Sequence, residues 1–233
     1  MGRGLMANFL LLHGAASTGW LWHRVAAELE QAGHATVAPD LPCADTTADL
    51  YTYIDVACTA AEKFGQAPLT VVAQSLSGLM VPALAARLLV ARIVLVAAMI
   101  PRPNETGVEW WDATGQAETQ RVYLESLGLS AHDAQDPEVV FIHDFDDALK
   151  AESIYHVPEQ HSGPLETPVM FESWPIVPTH VVAAEGDRLF PLEFMRQQTM
   201  DRLGIEPDVI SGGHLAPLTQ PRALGQLLLQ YES

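Results

Sequence analysis

Residues 69–78 read LTVVAQSLSG, an apolar run that ends in a serine and passes directly into a helical pattern. Residues 69–73 are typical of a strand buried on both faces, and residues 76–89 carry the periodicity of a helix. A serine on so tight a strand-to-helix turn is exposed beyond the carboxyl end of the strand. The backbone N–H of the next residue, Leu76, then faces the same space as the Ser75 hydroxyl.

Small side chains surround Ser75, because a strand and a helix approach each other closely at such a turn. Ala73, Ser77 and Gly78 meet that requirement. Taken alone, a serine at the start of a helix is more often a plain cap than a nucleophile. The chemical interpretation of Ser75 therefore depends on the rest of the chain.

Short apolar runs alternate with helical segments on both sides of this stretch, which predicts a parallel sheet covered by helices. We expect strands at residues 9–12, 35–38, 69–73, 92–97, 179–184 and 207–210, and helices at 19–31, 46–63, 76–89, 191–203 and 217–231. We expect Pro82 to bend the third of these helices.

The alternation stops between the fourth and fifth strands. Residues 101–175 are rich in Pro, Gly and aromatic residues, and contain helical pieces at about 108–127 and 137–155 but no convincing strand pair. The prediction is an α/β fold with an about six-stranded, mostly parallel sheet flanked by helices. Residues 1–100 and 176–233 would form its core, and residues 101–175 a helical lid inserted after the fourth strand.

Two further chemical groups follow predicted strands. The fifth strand runs into Glu185-Gly-Asp187, and the sixth runs into Gly212-Gly-His214. Since the carboxyl ends of parallel strands meet at one edge of a sheet, Ser75, Asp187 and His214 should converge on one crevice. Serine is a weak nucleophile that needs an imidazole base, itself oriented by a carboxylate. The order Ser, Asp, His at three strand ends therefore predicts a catalytic triad.

A fourth group comes from the first strand, which ends in the sequence HGAA at residues 13–16. A backbone N–H in this loop, which we assign to Ala15, can join the N–H of Leu76 as an oxyanion hole. His13 is more often a structural hydrogen-bonding residue than a second base in such a position.

With these residues in place, the sequence resembles the α/β-hydrolase superfamily along nearly its whole length. It is similar to the compact esterase-like branch, which includes the plant methylesterase and hydroxynitrile lyase group and its bacterial relatives. The resemblance implies the same fold, a nucleophile at Ser75, an acid at Asp187 and a base at His214. The chain departs from the common elbow pattern at Ala73, Gln74 and Ser77, where Gly, His and Gly are usual.

The resemblance also separates subclasses. Dehalogenase and epoxide-hydrolase relatives use an aspartate nucleophile, so Ser75 argues against both. Hydroxynitrile lyases of the plant group carry a lysine directly after the catalytic histidine, where this chain has Leu215. Lyase chemistry of that kind is therefore not expected.

The composition excludes other classes of function. The 233-residue chain has 29 acidic against 12 basic residues, a net charge of −17, which argues against nucleic acid and anionic membranes as partners. Most of that charge falls on residues 101–175, with 15 acidic and 3 basic residues. A solvated helical surface is one explanation of this acidic charge. The more specific alternative is that the charge repels anionic substrates.

The remaining features predict a small cytoplasmic protein without cofactor. Cys43 and Cys58 form no disulfide framework, and the resemblance of the N-terminal stretch at residues 3–17 to a signal peptide is better explained by the first strand and its loop. A metal is not expected, because the candidate ligands have irregular spacing: His132, His143, Asp144, Asp146, Asp147, His156 and His161. A monomer or homodimer is expected.

The expected activity is hydrolysis of a small, neutral carboxylic ester by a serine hydrolase. Three alternatives stay open at this point: C–C bond cleavage, perhydrolysis, and a non-enzymatic small-molecule receptor of the same fold. Aromatic residues of 101–175 could line the substrate pocket, though one or two at most: Trp110, Trp111, Phe141, Phe145, Tyr155, Phe171 and Trp174.

Overall fold

The computed structural model describes residues 6–130 and 132–232. Its six strands are β1 (Asn8–Leu12), β2 (Ala35–Val37), β3 (Leu69–Gln74), β4 (Val90–Val96), β5 (Thr179–Ala184) and β6 (Asp208–Ile210). They form one sheet in the order β2-β1-β3-β4-β5-β6, and every neighbouring pair is parallel. The predicted α/β fold is confirmed. Residues 1–5, which the predicted core and the signal-like stretch include, lie outside the described residues.

Eleven α-helices lie within the described residues: α1 (His23–Gln31), α2 (Leu50–Ala61), α3 (Val81–Arg87), α4 (Gly107–Thr114), α5 (Gln116–Ser126), α6 (Pro137–Val140), α7 (Asp147–Ser153), α8 (Gly163–Glu166), α9 (Leu192–Leu203), α10 (Ala216–Thr219) and α11 (Pro221–Tyr231). None of the described helices is long and apolar enough to cross a membrane.

The central strands β1 and β3 are buried along their whole length, on both faces of the sheet, as their continuous apolar sequences require. Along β1, Leu10 and Leu12 pack into one apolar cluster, whereas Phe9 and Leu11 pack into the other. Helices α2, α3 and α9 contribute to the first cluster, and α1 and α11 contribute to the second. The sheet thus lies between two helical layers. Because all its strands are parallel, their carboxyl ends lie together at one edge of the sheet.

Several helix boundaries differ from the prediction for identifiable reasons. The helix expected at residues 46–63 begins only at Leu50, because the Asp49 side chain caps it. The stretch expected to start a helix at residue 76 is a 3-10 helix over Ser75–Met80. Pro82 occupies the first turn of α3, where proline is tolerated, so the prediction that it bends a helix is wrong.

Residues 101–175, called the β4–β5 segment below, contain α4 to α8 and no strand among their described residues. The single helix expected at 108–127 is divided at Gly115, which takes a left-handed φ of +66° between α4 and α5. The role of this segment as a separate lid domain stays a prediction.

Candidate active site

Ser75 follows β3 directly and opens the 3-10 helix that leads to α3. Its φ of +55° lies in the left-handed region, an uncommon conformation for a residue with a side chain. The turn is held tight because Gly78 passes close to the chain that follows β4: a Cβ there would lie 2.1 Å from the Met99 carbonyl oxygen. The hydroxyl of Ser77 is used internally, since its one O–H has the carbonyl oxygens of Gln74 at 2.8 Å and Leu12 at 3.0 Å as acceptors.

Ser75, His214 and Asp187 form one hydrogen-bonded chain in the structure. The His214 Nε2 lies 3.0 Å from the Ser75 Oγ, and its Nδ1 lies 2.8 Å from the Asp187 Oδ2. All three side chains are buried. With the proton on Nδ1, the imidazole is oriented by the carboxylate and presents an acceptor to the serine hydroxyl. The structure therefore brings together the three residues that the strand ends predicted.

Ala15 and Leu76 both line the cavity that Ser75 faces. The Ala15 N–H makes no hydrogen bond to any residue that the structure describes. Leu76 is the second residue of the 3-10 helix, a position whose N–H has no partner within the helix. Two backbone donors are thus available beside the serine hydroxyl.

His13 makes structural hydrogen bonds, as expected from the sequence. Its Nε2 accepts from the backbone N–H of Leu41 at 2.8 Å, and its Nδ1 lies 2.8 Å from the carbonyl oxygen of Gly14. The ring is fully buried, and this burial lowers the pKa of His13. A neutral imidazole satisfies both contacts, so His13 fixes the loop after β1.

The cavity over Ser75 has a volume of about 440 Å³ and is lined mainly by apolar side chains. It lies between the sheet edge and the β4–β5 segment, which contributes Trp111, Phe141 and Ile142, among others. Of the seven aromatic residues considered from the sequence, only Trp111 and Phe141 line it. The lining includes no lysine or arginine among the described residues.

Trp20 also lines the cavity and was missed from the sequence. Its ring lies between two imidazoles, with centroid distances of 4.9 Å to His23 and 4.3 Å to His156. Its indole N–H donates to Glu152 in the β4–β5 segment at 3.3 Å. The only sequence signal for Trp20 was its place four residues after the HGAA motif, at the start of the predicted helix at residues 19–31.

Side chains of the β4–β5 segment also reach the loops that carry Asp187 and His214. Asp144 accepts hydrogen bonds from the N–H of Gly213, next to His214, and from the Thr219 hydroxyl. In the same way, the amides of Gln116 and Gln120 donate to carbonyls of the loop after Asp187. Sequence reasoning missed these contacts, because no periodicity relates the partners.

Among residues 6–130 and 132–232, no group of three or more His, Cys, Asp or Glu side chains is arranged to hold an ion. The candidate ligands considered from the sequence do not form a common site in this part of the chain.

The fold is shared with several solved structures of hydrolases. Polyneuridine aldehyde esterase superposes with a TM-score of 0.80 at 17% identity, covering 98% of this chain and 100% of its own. An extracellular α/β-hydrolase from a Paenibacillus species gives 0.77 at 16%, covering 96% and 98%. A pyrethroid hydrolase from Sphingobium faniae gives 0.73 at 20%, covering 97% of both chains.

At the level of sequence, no curated protein is significantly similar to the chain. The model of the alpha/beta hydrolase family matches residues 9–227. This match includes every strand except the first residue of β1, together with Ser75, Asp187 and His214. The chain therefore belongs to the alpha/beta hydrolase family.

Proposed function

We propose that this protein is a serine hydrolase that cleaves a small, neutral carboxylic ester through an acyl-enzyme. The observation that carries the proposal is the hydrogen-bonded chain of Ser75, His214 and Asp187 at the floor of an apolar cavity. Several solved structures with this fold are described as an esterase or as pyrethroid hydrolases, which supports ester chemistry.

The geometry suggests a role for each group. His214 Nε2 takes the proton of the Ser75 hydroxyl while the serine oxygen attacks the ester carbonyl carbon. The N–H groups of Ala15 and Leu76 stabilise the resulting oxyanion, each contributing about 3 kcal/mol. His214 then gives its proton to the leaving alcohol. Asp187 keeps the imidazole in the required tautomer throughout.

Release of the acid uses the same groups in a second cycle. His214 takes a proton from water, the hydroxide oxygen attacks the acyl carbon, and the proton returns to the Ser75 oxygen as the acyl bond breaks. No cofactor enters either half of this sequence. The cavity contributes apolar contacts to the ester, and its described lining residues include no lysine or arginine to bind a carboxylate.

A fluorophosphonate probe followed by mass spectrometry tests the nucleophile. We expect the wild type to form one adduct at Ser75, and Ser75→Ala to form none and to lose ester hydrolysis by a factor on the order of 10⁶. Ser77→Ala is the matched control and should keep the label, because the Ser77 hydroxyl is buried and faces the backbone carbonyls of Leu12 and Gln74.

A chain-length panel of chromogenic esters tests the activity. Turnover that depends on acyl length is expected if the apolar cavity binds the acyl or alcohol group. A wild type that is neither labelled nor active would overturn the hydrolase proposal. A label at Ser75 without turnover of any ester would instead favour a small-molecule receptor or a different triad chemistry.

A further inference from the structure

The loop that carries Ala15 is held by a side chain from the distant β4–β5 segment. The backbone N–H of Ala16 donates to the Gln160 Oε1 at 3.0 Å. We propose that Gln160 is a positioning residue for the oxyanion hole, acting through this bond on the orientation of the neighbouring Ala15 N–H. The inference rests on the proposed serine-hydrolase function.

The loop needs such a restraint because its backbone is strained. Ala16 has a φ of +49°, in the left-handed region, where a residue with a Cβ costs roughly 1–2 kcal/mol. Without an outside contact, rotation of the adjoining peptide units would relieve this strain. Fixing the Ala16 N–H limits rotation about the Ala15 backbone, and so limits the direction in which the Ala15 N–H points. An oxyanion donor contributes only when it is aimed at the developing charge.

Gln160 is itself held by its amide group. Its Nε2 donates to the hydroxyl of Tyr53 at 3.1 Å and to the carbonyl oxygen of His161 at 2.7 Å. Tyr53 is a buried residue of α2, which packs directly against the sheet. The amide nitrogen is therefore anchored to the core of the protein, while the amide oxygen accepts from the loop that carries Ala15 and Ala16.

The backbone around Gln160 is pinned as well. The His161 N–H donates to the carbonyl oxygen of Cys43 at 2.8 Å. Gly163 passes so close to the core that a Cβ there would lie 2.3 Å from the Ala48 carbonyl oxygen. Two backbone contacts thus hold the segment on which Gln160 lies, so the Ala16 contact joins two fixed parts of the molecule.

The test uses Gln160→Leu, which keeps most of the side-chain volume and removes the acceptor. A displaced donor should cost less than a deleted one, so we expect kcat for a p-nitrophenyl ester to fall about 10-fold, with KM within about 2-fold. A trifluoromethyl ketone, which forms an oxyanion on Ser75, should bind about 10-fold more weakly. The matching methyl ketone, which binds without forming that charge, should keep its affinity.

Tyr51→Phe is the matched control. The Tyr51 hydroxyl accepts from the N–H of Met170 at 3.1 Å, and so ties the β4–β5 segment to α2 at a point away from the loop that carries Ala15. We expect Tyr51→Phe to lose about as much free energy of unfolding as Gln160→Leu does, but to keep kcat within about 2-fold of the wild-type value. Tyr53→Phe is the second probe if Gln160→Leu does not fold: it removes the acceptor for the Gln160 amide and should lower kcat in the same direction.

The outcomes separate the inference from the function on which it rests. Unchanged kcat and unchanged trifluoromethyl ketone affinity in Gln160→Leu and Tyr53→Phe would overturn the positioning role alone. Equal losses for both ketones, or losses matched by Tyr51→Phe, would show a merely structural contact and would overturn it too. A wild type that binds the two ketones equally and hydrolyses no ester would overturn the proposed function and the inference together.

Discussion

At the scale of single residues, Asp187 divides its two carboxylate oxygens between different tasks. The Oδ1 accepts from the backbone N–H groups of Leu189 and Phe190 at 2.8 and 2.9 Å. The Oδ2 lies against the His214 Nδ1. The carboxylate is thus fixed by its own loop, and this orientation selects the imidazole tautomer with the proton on Nδ1.

This division makes Asp187→Asn an informative substitution. The asparagine oxygen can keep both backbone hydrogen bonds, so the amide N–H₂ must face His214 Nδ1. The neutral imidazole then carries its proton on Nε2 and cannot accept the proton of Ser75. We expect kcat to fall by a factor on the order of 10⁴, with KM and the melting temperature nearly unchanged. Steady-state ester hydrolysis and thermal unfolding measure these quantities.

Asp187→Ala provides the contrast, because it also removes the acceptor for the two N–H groups. It should lose activity and, in addition, about 1–3 kcal/mol of unfolding free energy for the buried donors left without a partner. Near-normal kcat in Asp187→Asn would contradict the orienting role of this carboxylate.

At the scale of elements, the first turn of α2 depends on Asp49. The Asp49 carboxylate accepts from the backbone N–H of Thr52 at 2.7 Å and from its hydroxyl at 2.8 Å. These two hydrogen bonds, the backbone one foremost, lower the pKa of Asp49. The same helix carries Tyr53, which anchors Gln160. The cap therefore affects both the stability of the helix and the surroundings of the active site.

Asp49→Ala should lower the free energy of unfolding by about 1 kcal/mol at pH 7. Since the folded-state pKa of Asp49 lies below its unfolded value, the charged cap contributes fully above the ordinary carboxyl pKa of about 4. Its contribution is lost as the pH falls through the lower folded-state pKa. The difference between wild type and variant should therefore shrink below about pH 4, as urea unfolding at several pH values would show.

Asp55→Ala is a suitable control for the cap, since it removes the same charge from the same helix. Asp55 is exposed and pairs with Arg87 at 2.7 Å, so its loss should cost under about 1 kcal/mol. Equal losses in the two variants, or a difference for Asp49→Ala that does not vary with pH, would contradict the capping role.

The strands could be placed from the sequence more accurately than the helix ends. Strand β5 falls at the predicted residues, because its last four residues, 181–184, form the continuous apolar run that is typical of a buried parallel strand. The start of α2 was placed too early at residue 46, since several Thr and Asp residues before Leu50 were equally suitable caps. Asp49 is the cap because it and Thr52 exchange hydrogen bonds at the start of the helix. The preference of each residue type for cap positions does not show which of these candidates makes such bonds.

At the scale of the whole molecule, the sequence could predict the residues that follow parallel strands. Ser75, Asp187 and His214 lie at such positions, and the sheet order brings them to one edge. Gln160 and Asp144 could not be predicted in this way. Their backbone partners lie 144 and 69 residues away along the chain, and both residues belong to an irregular segment. Only the folded packing of the β4–β5 segment brings them to the loops of Ala16 and Gly213.

The charge of the molecule is distributed unevenly around the cavity. The β4–β5 segment holds 15 of the 29 acidic residues and only 3 of the 12 basic ones. Many of the cavity-lining side chains come from this segment, and the described lining contains no lysine or arginine. An anionic substrate would therefore approach through a negative potential and find no cation to offset it.

Matched chromogenic esters of similar length, p-nitrophenyl butyrate and p-nitrophenyl hemisuccinate, test this effect. At about 10 mM ionic strength we expect a kcat/KM for the anionic ester at least about 10-fold lower. That value should rise towards 0.15 M salt, because the screening length falls from about 30 to 8 Å, whereas the neutral ester should not respond. Glu152→Gln keeps an acceptor for the Trp20 indole N–H, removes one negative charge beside the cavity, and should raise only the anionic value. Equal values for the two esters at low salt, unaffected by added salt, would mean that the acidic segment has no part in substrate selection.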